Sequence, residues 1–474
     1  MSLPESSEPP VTWPLWTIAL GLGLIIVSLA PHYLVAQNNR TAPAASVSGN
    51  TSLAQVAPKK QADEPIALVG GTIYVNPTDD PIRDGVILIR GGKIAAVGHK
   101  ASLEVPPGIQ TLDCSGLTIT AGFWNSHVHF MERKWADAAK IPAPELSGQL
   151  QAMLTQYGFT SVIDTGSMWA NTRLLRDRIE SGEIPGPRIR STGEILMPKG
   201  GLKGSAPSLL DALGFMTAPL PEVADATEAL AASKKLLDAG TDGIKVYAAT
   251  WFAPFVALPQ SAIEAAAKEA HSRGKLVFAH PTNREGLLAA VRGGVDIIVH
   301  TTPQSGPWDE TLMAEMKDRG VALIPTLKLW KYELRHDRTS ARDKFVEAGV
   351  GQLRAWHALG GVILFGTDVG YMNDYDPSDE YALMAQAGLD FRQILASLTV
   401  TPADRFGESK QRGQIVPGLA ADFVVLNQDP SRNVRAFADV RYTLRDGKVI
   451  HRASDVARRD AATLPTTPTA PEHR

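Results

Sequence analysis

The sequence predicts an α/β chain, a barrel of parallel strands alternating with helices, joined to a small β-domain built from both chain ends. Three observations predict it. Residues 121–410 alternate short apolar runs with helical patterns. Residues 65–120 and 411–453 share a texture of β-branched runs broken by Gly and Asp. His, Lys and Asp stand where the apolar runs end.

The chain has 474 residues, 47 Lys plus Arg against 50 Asp plus Glu, and a net charge of -3. That balance offers nucleic acid no general attraction. Cys114 is the single cysteine, so an intrachain disulfide and an all-thiolate zinc site are both excluded.

Taken from the start, Pro9 to Asn39 carries no charged residue, and Trp13 to Ala30 is long and apolar enough to span a bilayer. Trp13, Trp16 and Tyr33 stand where interfacial aromatics belong. Residues 1–36 therefore read as a retained membrane anchor, with a cleaved signal peptide as the rival. Residues 37–64, rich in Ala, Ser, Thr and Pro, read as a flexible linker. Arg40, Lys59 and Lys60 follow the span, which favours a cytoplasmic bulk. The tethering linker favours the extracytoplasmic (periplasmic) side, and that placement is the expectation adopted.

In residues 65–120, IALVGGTIYV, GVILIRGGKIAAVG and GLTITAG read as strands. ADFVVLNQDP and VRYTLRDGKVIH repeat the pattern within 411–453. Gly91-Gly92 and Asp446-Gly447 suit two-residue hairpin turns. The two ends should pair into one β-sandwich.

Between them, helices are expected over Glu222 to Ala239 and Pro259 to Arg273, each ending at a Gly. GIKVYA, KLVFAH, VDIIVH, VALIPT and VILFGTD are the intervening strands. About 290 residues suit an eightfold barrel, whose strand C-termini converge on one mouth. Residues 454–474 read as a disordered tail.

That convergence gathers chemistry. Alternation puts His127 and His129 on one strand face. Lys245 lies in GIKVY, while His280, His300 and Asp368 end three further runs. Four imidazoles, a carboxylate and a lysine at one mouth suit a borderline divalent metal.

AGFWNSHVHF, GFTSVIDTG, DGIKVYAA, KLVFAH, GGVDIIVH, ILFGTDVG and GQIVPGLAADFVVLNQDP together resemble the amidohydrolase superfamily, in its imidazolonepropionase-like and prolidase-like branch. The resemblance spans about residues 66 to 452. It implies a distorted TIM (β/α)8 barrel with a split β-sandwich. It further implies two divalent ions, zinc for preference, bridged by a CO2-derived carbamate on Lys245. His127, His129 and Asp368 would hold one ion and His280 and His300 the other.

The implied reaction is hydrolysis of an amide-type bond in a small molecule: a dipeptide, an N-acyl amino acid or a cyclic amide. A metal-bridging hydroxide would attack, with Asp368 as general base and then acid. Tyr247, two residues past Lys245, points the same way and would donate to the oxyanion. Arg133, Lys199 and Lys328, in loops after strands, are candidates to hold a substrate carboxylate. The sequence departs from the family at Leu202 after Gly200-Gly201, and at Ile163, both expected near the mouth. ATWFAPFVALP, residues 249–259, suggests a partly apolar lid. A lactonase or esterase on the same centre, and a dead membrane-tethered binding protein, are the alternatives. Quaternary state stays open, a homo-oligomer included.

Overall fold

The computed structural model describes residues 65–201, 220–250 and 255–454. The expected anchor (1–36), the linker (37–64), Leu202, part of the 249–259 loop and the tail from 455 lie outside the described residues. Among the described residues no helix is long and apolar enough to cross a membrane.

The N-terminal strands are β1 (Ile66–Ile73), β2 (Ile82–Arg90), β3 (Lys93–His99), β4 (Gln110–Asp113) and β5 (Thr118–Ala121). A parallel trio follows: β6 (Phe123–Val128), β7 (Phe159–Asp164) and β8 (Arg188–Ser191). The short pair β9 (Met197–Pro198) and β10 (Glu222–Val223) comes next. Five parallel strands continue the chain: β11 (Gly243–Tyr247), β12 (Leu276–His280), β13 (Ile297–Val299), β14 (Ala322–Ile324) and β15 (Val362–Ile363). The C-terminal strands are β16 (Phe423–Leu426), β17 (Val440–Arg445) and β18 (Lys448–Arg452).

The parallel strands form two arcs rather than one unbroken ladder. Scattered backbone hydrogen bonds cross the seams. The Ser126 amide donates to the Phe365 carbonyl at 2.8 Å, and the Asp242 amide to the Ser191 carbonyl at 2.7 Å.

Strand alternation sorts the arcs into an inside and an outside. Ile244, Val246, Val277, Ala279, Ile298 and Leu323 face the surrounding helices in the main apolar core. The opposite faces carry a second cluster, including Trp124, Ile163, Phe278, Ile297, Val299 and Ile324. Phe406 stacks on Trp124 with ring centres 5.5 Å apart and joins this cluster. Ile163 is therefore buried among interior apolar side chains rather than placed near the mouth.

Both chain ends enter a single sheet, ordered β18-β17-β16-β5-β1-β2-β3, with β4 paired to β1. β5 is the join, parallel to β1 and antiparallel to β16. The hairpins form where the sequence placed them: Arg90 pairs with Lys93, and Arg445 with Lys448. Gly91, Gly92, Asp446 and Gly447 all have positive φ, at 60, 71, 49 and 74°, as this tight turn requires. The two turns meet, because the Ala421 amide bonds Gly92 at 2.9 Å and the Gly447 amide bonds Ala421 at 2.8 Å.

One helix boundary moves. The helix expected from Glu222 starts at Ala226 and runs to Asp238. Asp225 caps it, accepting from the amides of Thr227 and Glu228 at 2.8 and 2.9 Å. Glu222 and Val223 pair as a strand with Met197 and Pro198 instead. The second helix, Gln260–Ser272, lies within the expected bounds.

Candidate metal centre

At the C-terminal ends of β11 and β12, alternation turns Lys245 and His280 inward; His127 and His129 turn in past a register shift in β6 and His300 through its positive φ, and all five line one cavity of about 60 Å³ with Asp368. Tyr247 lines it too. Register places Tyr247 beside His280 across β11 and β12. Their rings stack 4.1 Å apart and 10° from parallel. The other imidazoles pack edge to face, with His300 4.8 Å from His127 and 4.7 Å from His280.

Three of the four rings are held from behind. His129 Nδ1 donates to the Gly166 carbonyl at 2.8 Å. His127 Nδ1 lies 2.6 Å from the Thr165 hydroxyl. The Thr326 hydroxyl donates to the Pro325 carbonyl, so at 2.6 Å it accepts from His300 Nδ1. With Nδ1 donating, His129 and His300 carry the Nε2 lone pair toward the cavity.

Thr165 and Gly166 belong to a turn that Asp164 pins from inside. The Asp164 carboxylate accepts from the Ser167 and Ser191 hydroxyls, each at 2.6 Å. Small residues are required at the closest approaches. A Cβ on Gly370, at φ 94°, would stand 1.7 Å from the His129 carbonyl oxygen.

Backbone strain is concentrated here. His300, Asp368, Thr282 and Thr326 adopt positive φ of 75, 67, 60 and 44°, a region that disfavours side chains and is tolerated where the surroundings over-determine it. The His300 amide is fixed to Ile324 at 2.8 Å, and the Asp368 amide to His127 at 2.9 Å.

Burial sets the electrostatics. It drives His127, His280 and His300 well below the usual imidazole range, and the neighbouring Lys245 and other imidazoles push the same way. Burial also lowers Lys245 to about 7, against the opposing pull of Asp368. Neutral imidazoles and a neutral amine are the protonation states that ligate metals and add CO2, and a Lys245 at about 7 supplies the neutral amine in substantial share near neutral pH.

Asp368 Oδ1 lies 3.0 Å from both His127 Nε2 and His129 Nε2. His129, whose Nδ1 proton goes to the Gly166 carbonyl, turns a lone pair and not a proton toward Asp368 Oδ1. His127 Nε2, His280 Nε2 and Asp368 Oδ1 are buried without a hydrogen-bond partner. Buried orphan acceptors facing one another are costly unless a cation lies between them. The donor set thus fits a divalent metal. Ligand atoms of His127, His300 and Asp368 all fall within 4.8 Å of one another, so His300 shares a group with Asp368 as well as standing beside His280.

The expected carboxylate-binding residues do not join this cavity. Lys199 is exposed and lies 3.5 Å from Glu228. Lys328 Nζ is turned away onto Asp374, donating to its carbonyl at 3.1 Å and reaching its carboxylate at 2.8 Å. Arg133 is also absent from the lining. Sequence reasoning missed Leu329, Trp330, Glu333 and Tyr371, which form a wall of the cavity. Tyr371 donates to Glu333 at 2.8 Å, and burial raises the Glu333 carboxyl above the ordinary glutamate range.

The model of the amidohydrolase family matches residues 118–451. An ochratoxinase from Aspergillus niger is 22% identical over 425 residues, covering 81% of this chain and 86% of its own. The crystal structure of a Xaa-Pro dipeptidase with methionine in its active site superposes with a TM-score of 0.69 at 22% identity, over 82% of this chain and all of that one. Molinate hydrolase superposes with a TM-score of 0.63 at 20% identity, over 87% of this chain and all of that one.

Proposed function

This chain belongs to the amidohydrolase family and is a metal-dependent hydrolase of carbon–nitrogen bonds, and from that premise we propose that it cleaves small amides: a dipeptide, an N-acyl amino acid or a cyclic amide. The observation that carries the reading is the convergence on buried Asp368 Oδ1 of His129 Nε2, 3.0 Å away with its Nδ1 proton committed to Gly166, beside the unpartnered Nε2 atoms of His127 and His280. The dipeptidase and ochratoxinase relatives support the bond type.

In this proposal His127, His129, His280, His300 and Asp368 hold one or two divalent ions, zinc by donor preference. Lys245, with a substantial neutral fraction near neutral pH, adds CO2 with loss of a proton and offers two carbamate oxygens in place of one nitrogen. The bound metal supplies Lewis acidity toward the carbonyl and toward water. Asp368 takes the proton of the attacking water and delivers it to the leaving nitrogen. Burial raises the Tyr247 hydroxyl above the usual phenol range. It therefore stays protonated and donates to the carbonyl oxygen as charge develops. Leu329 and Trp330 receive an apolar substituent. The proposal includes an anchor in residues 1–36 that tethers the catalytic part on the extracytoplasmic side.

The test loads the full chain with zinc and assays dipeptides, N-acyl amino acids, cyclic amides and lactones. Amide turnover with at least about one metal per chain is expected. Turnover confined to lactones would move the assignment to an esterase. Metal content far below one per chain would undo it.

A further inference from the structure

One wall of the cavity has a chemistry that the metal ligands do not use. Glu333 lies on it, half-buried, with one carboxylate oxygen accepting the Tyr371 hydroxyl at 2.8 Å. Trp330 and Tyr371 share that wall. A carboxylate beside aromatic faces is the environment that holds an ammonium group, through charge-assisted hydrogen bonds and cation–π attraction.

The remaining lining points the same way. Among the described residues of the cavity there is no arginine, and its one lysine, Lys245, stands with the metal ligands. Nearby cations are engaged elsewhere: Lys328 on Asp374, Lys331 on Asp379, and Arg335 on the Tyr332 carbonyl at 2.6 Å and over the Tyr332 ring. A substrate carboxylate would meet Glu333 and Asp368 with no described guanidinium to receive it.

We infer that the cavity selects an amide bearing a protonated amine, such as an aminoacyl amide, and that Glu333 is the specificity residue that holds the amine. This rests on the hydrolase reading above and narrows it, because an N-acyl amino acid carries only the disfavoured charge. Glu333 lines the same cavity as the ligands and is assigned no part in the proton transfer given to Asp368. Its contribution is therefore to binding, read in substrate preference.

The zinc-loaded full chain is titrated calorimetrically with benzylammonium, benzyl alcohol and benzoate, which share one apolar body. Benzylammonium is expected to bind on the order of tenfold more tightly than benzyl alcohol, and benzoate more weakly still. Glu333→Gln, of nearly equal shape, should erase that preference. It should also lower the ratio of kcat/KM for an aminoacyl anilide over its deaminated analogue by a similar factor. Equal binding of the three probes, tighter benzoate, or an ammonium preference that survives Glu333→Gln would each overturn the inference. Selective benzylammonium binding without cleavage of any amide would uphold the amine site and count only against the hydrolase reading.

Discussion

Asp368 shows how far a single residue could be read from the sequence. Its place after ILFG, at the end of an apolar run, put it at the mouth, and there it lies within 3.0 Å of two imidazoles. Its backbone, at φ 67°, was not legible, because positive φ depends on what the neighbouring strands demand. That conformation makes Asn the informative substitution, since Asn tolerates the left-handed region and matches the shape of Asp. Asp368→Asn is expected to keep the fold and lose about 10²–10⁴ in kcat, the range of a general acid–base group. Steady-state kinetics beside a thermal melt check this, and near-parental turnover would remove Asp368 from the proton path. Glu333 was missed for a different reason. The reading of that loop looked for cations and chose Lys328. Yet Leu329, Trp330 and Glu333 share one helical face, with Leu329 and Glu333 four residues apart, and only the tertiary docking of that turn decides which face looks inward.

The element that presents this face, the helix Leu327–Glu333, is held by a contact the sequence could not reveal. Thr326 precedes it in left-handed geometry and supplies no side-chain cap. Glu380, 53 positions from Leu327, accepts the Leu327 and Lys328 amides at 2.9 and 2.7 Å. Local capping was visible where cap and helix are adjacent, as in the Asp225 pattern, whereas a cap delivered from a distant helix leaves no local signal. Burial, opposed by those amide bonds, raises the Glu380 carboxyl to about 7. The sign follows from linkage. Between an ordinary glutamate value near 4.5 and about 7, the folded chain keeps a proton that the unfolded chain releases. This group's contribution to stability is therefore present at low pH and is lost as pH rises through 7. Glu380→Gln titrates nowhere, so other groups cancel in the difference between the two proteins. Urea unfolding at pH 5 and pH 8 should show the parent losing stability relative to the variant as pH rises. A pH-independent difference would sink the account.

At the scale of the molecule, the meeting of the two chain ends was legible because both carried the same strand-and-turn texture. The continuity of the resulting sheet was not, because β5 pairs on both edges with strands some 45 and 300 residues away in sequence, and such partners are chosen by burial and not by local pattern. The sheet is also bound to the parallel arcs. Arg188 on β8 bonds the buried Asp422 at 2.6 Å, Arg445 on β17 reaches Glu180 at 2.6 Å, and the Thr443 hydroxyl donates to the Thr155 carbonyl at 2.6 Å. The Arg188–Asp422 pair, taken from water, is expensive to separate, so the sheet should not open while the arcs stay folded. Cys114 reports on this directly, as the only thiol in the chain and a fully buried member of the sheet's apolar cluster. Burial pushes its thiol up to about 12, so at pH 8 it is neutral as well as inaccessible, and thiolate is the reactive form. In native buffer a disulfide-exchange reagent should leave it unlabelled. Across a urea gradient, labelling should rise together with the loss of far-ultraviolet circular dichroism and the shift of tryptophan emission, as one cooperative transition. Labelling that reaches completion at lower urea than the optical transitions would mean that the sheet opens independently and that its bonds to Arg188, Arg445 and Thr443 do not couple the two.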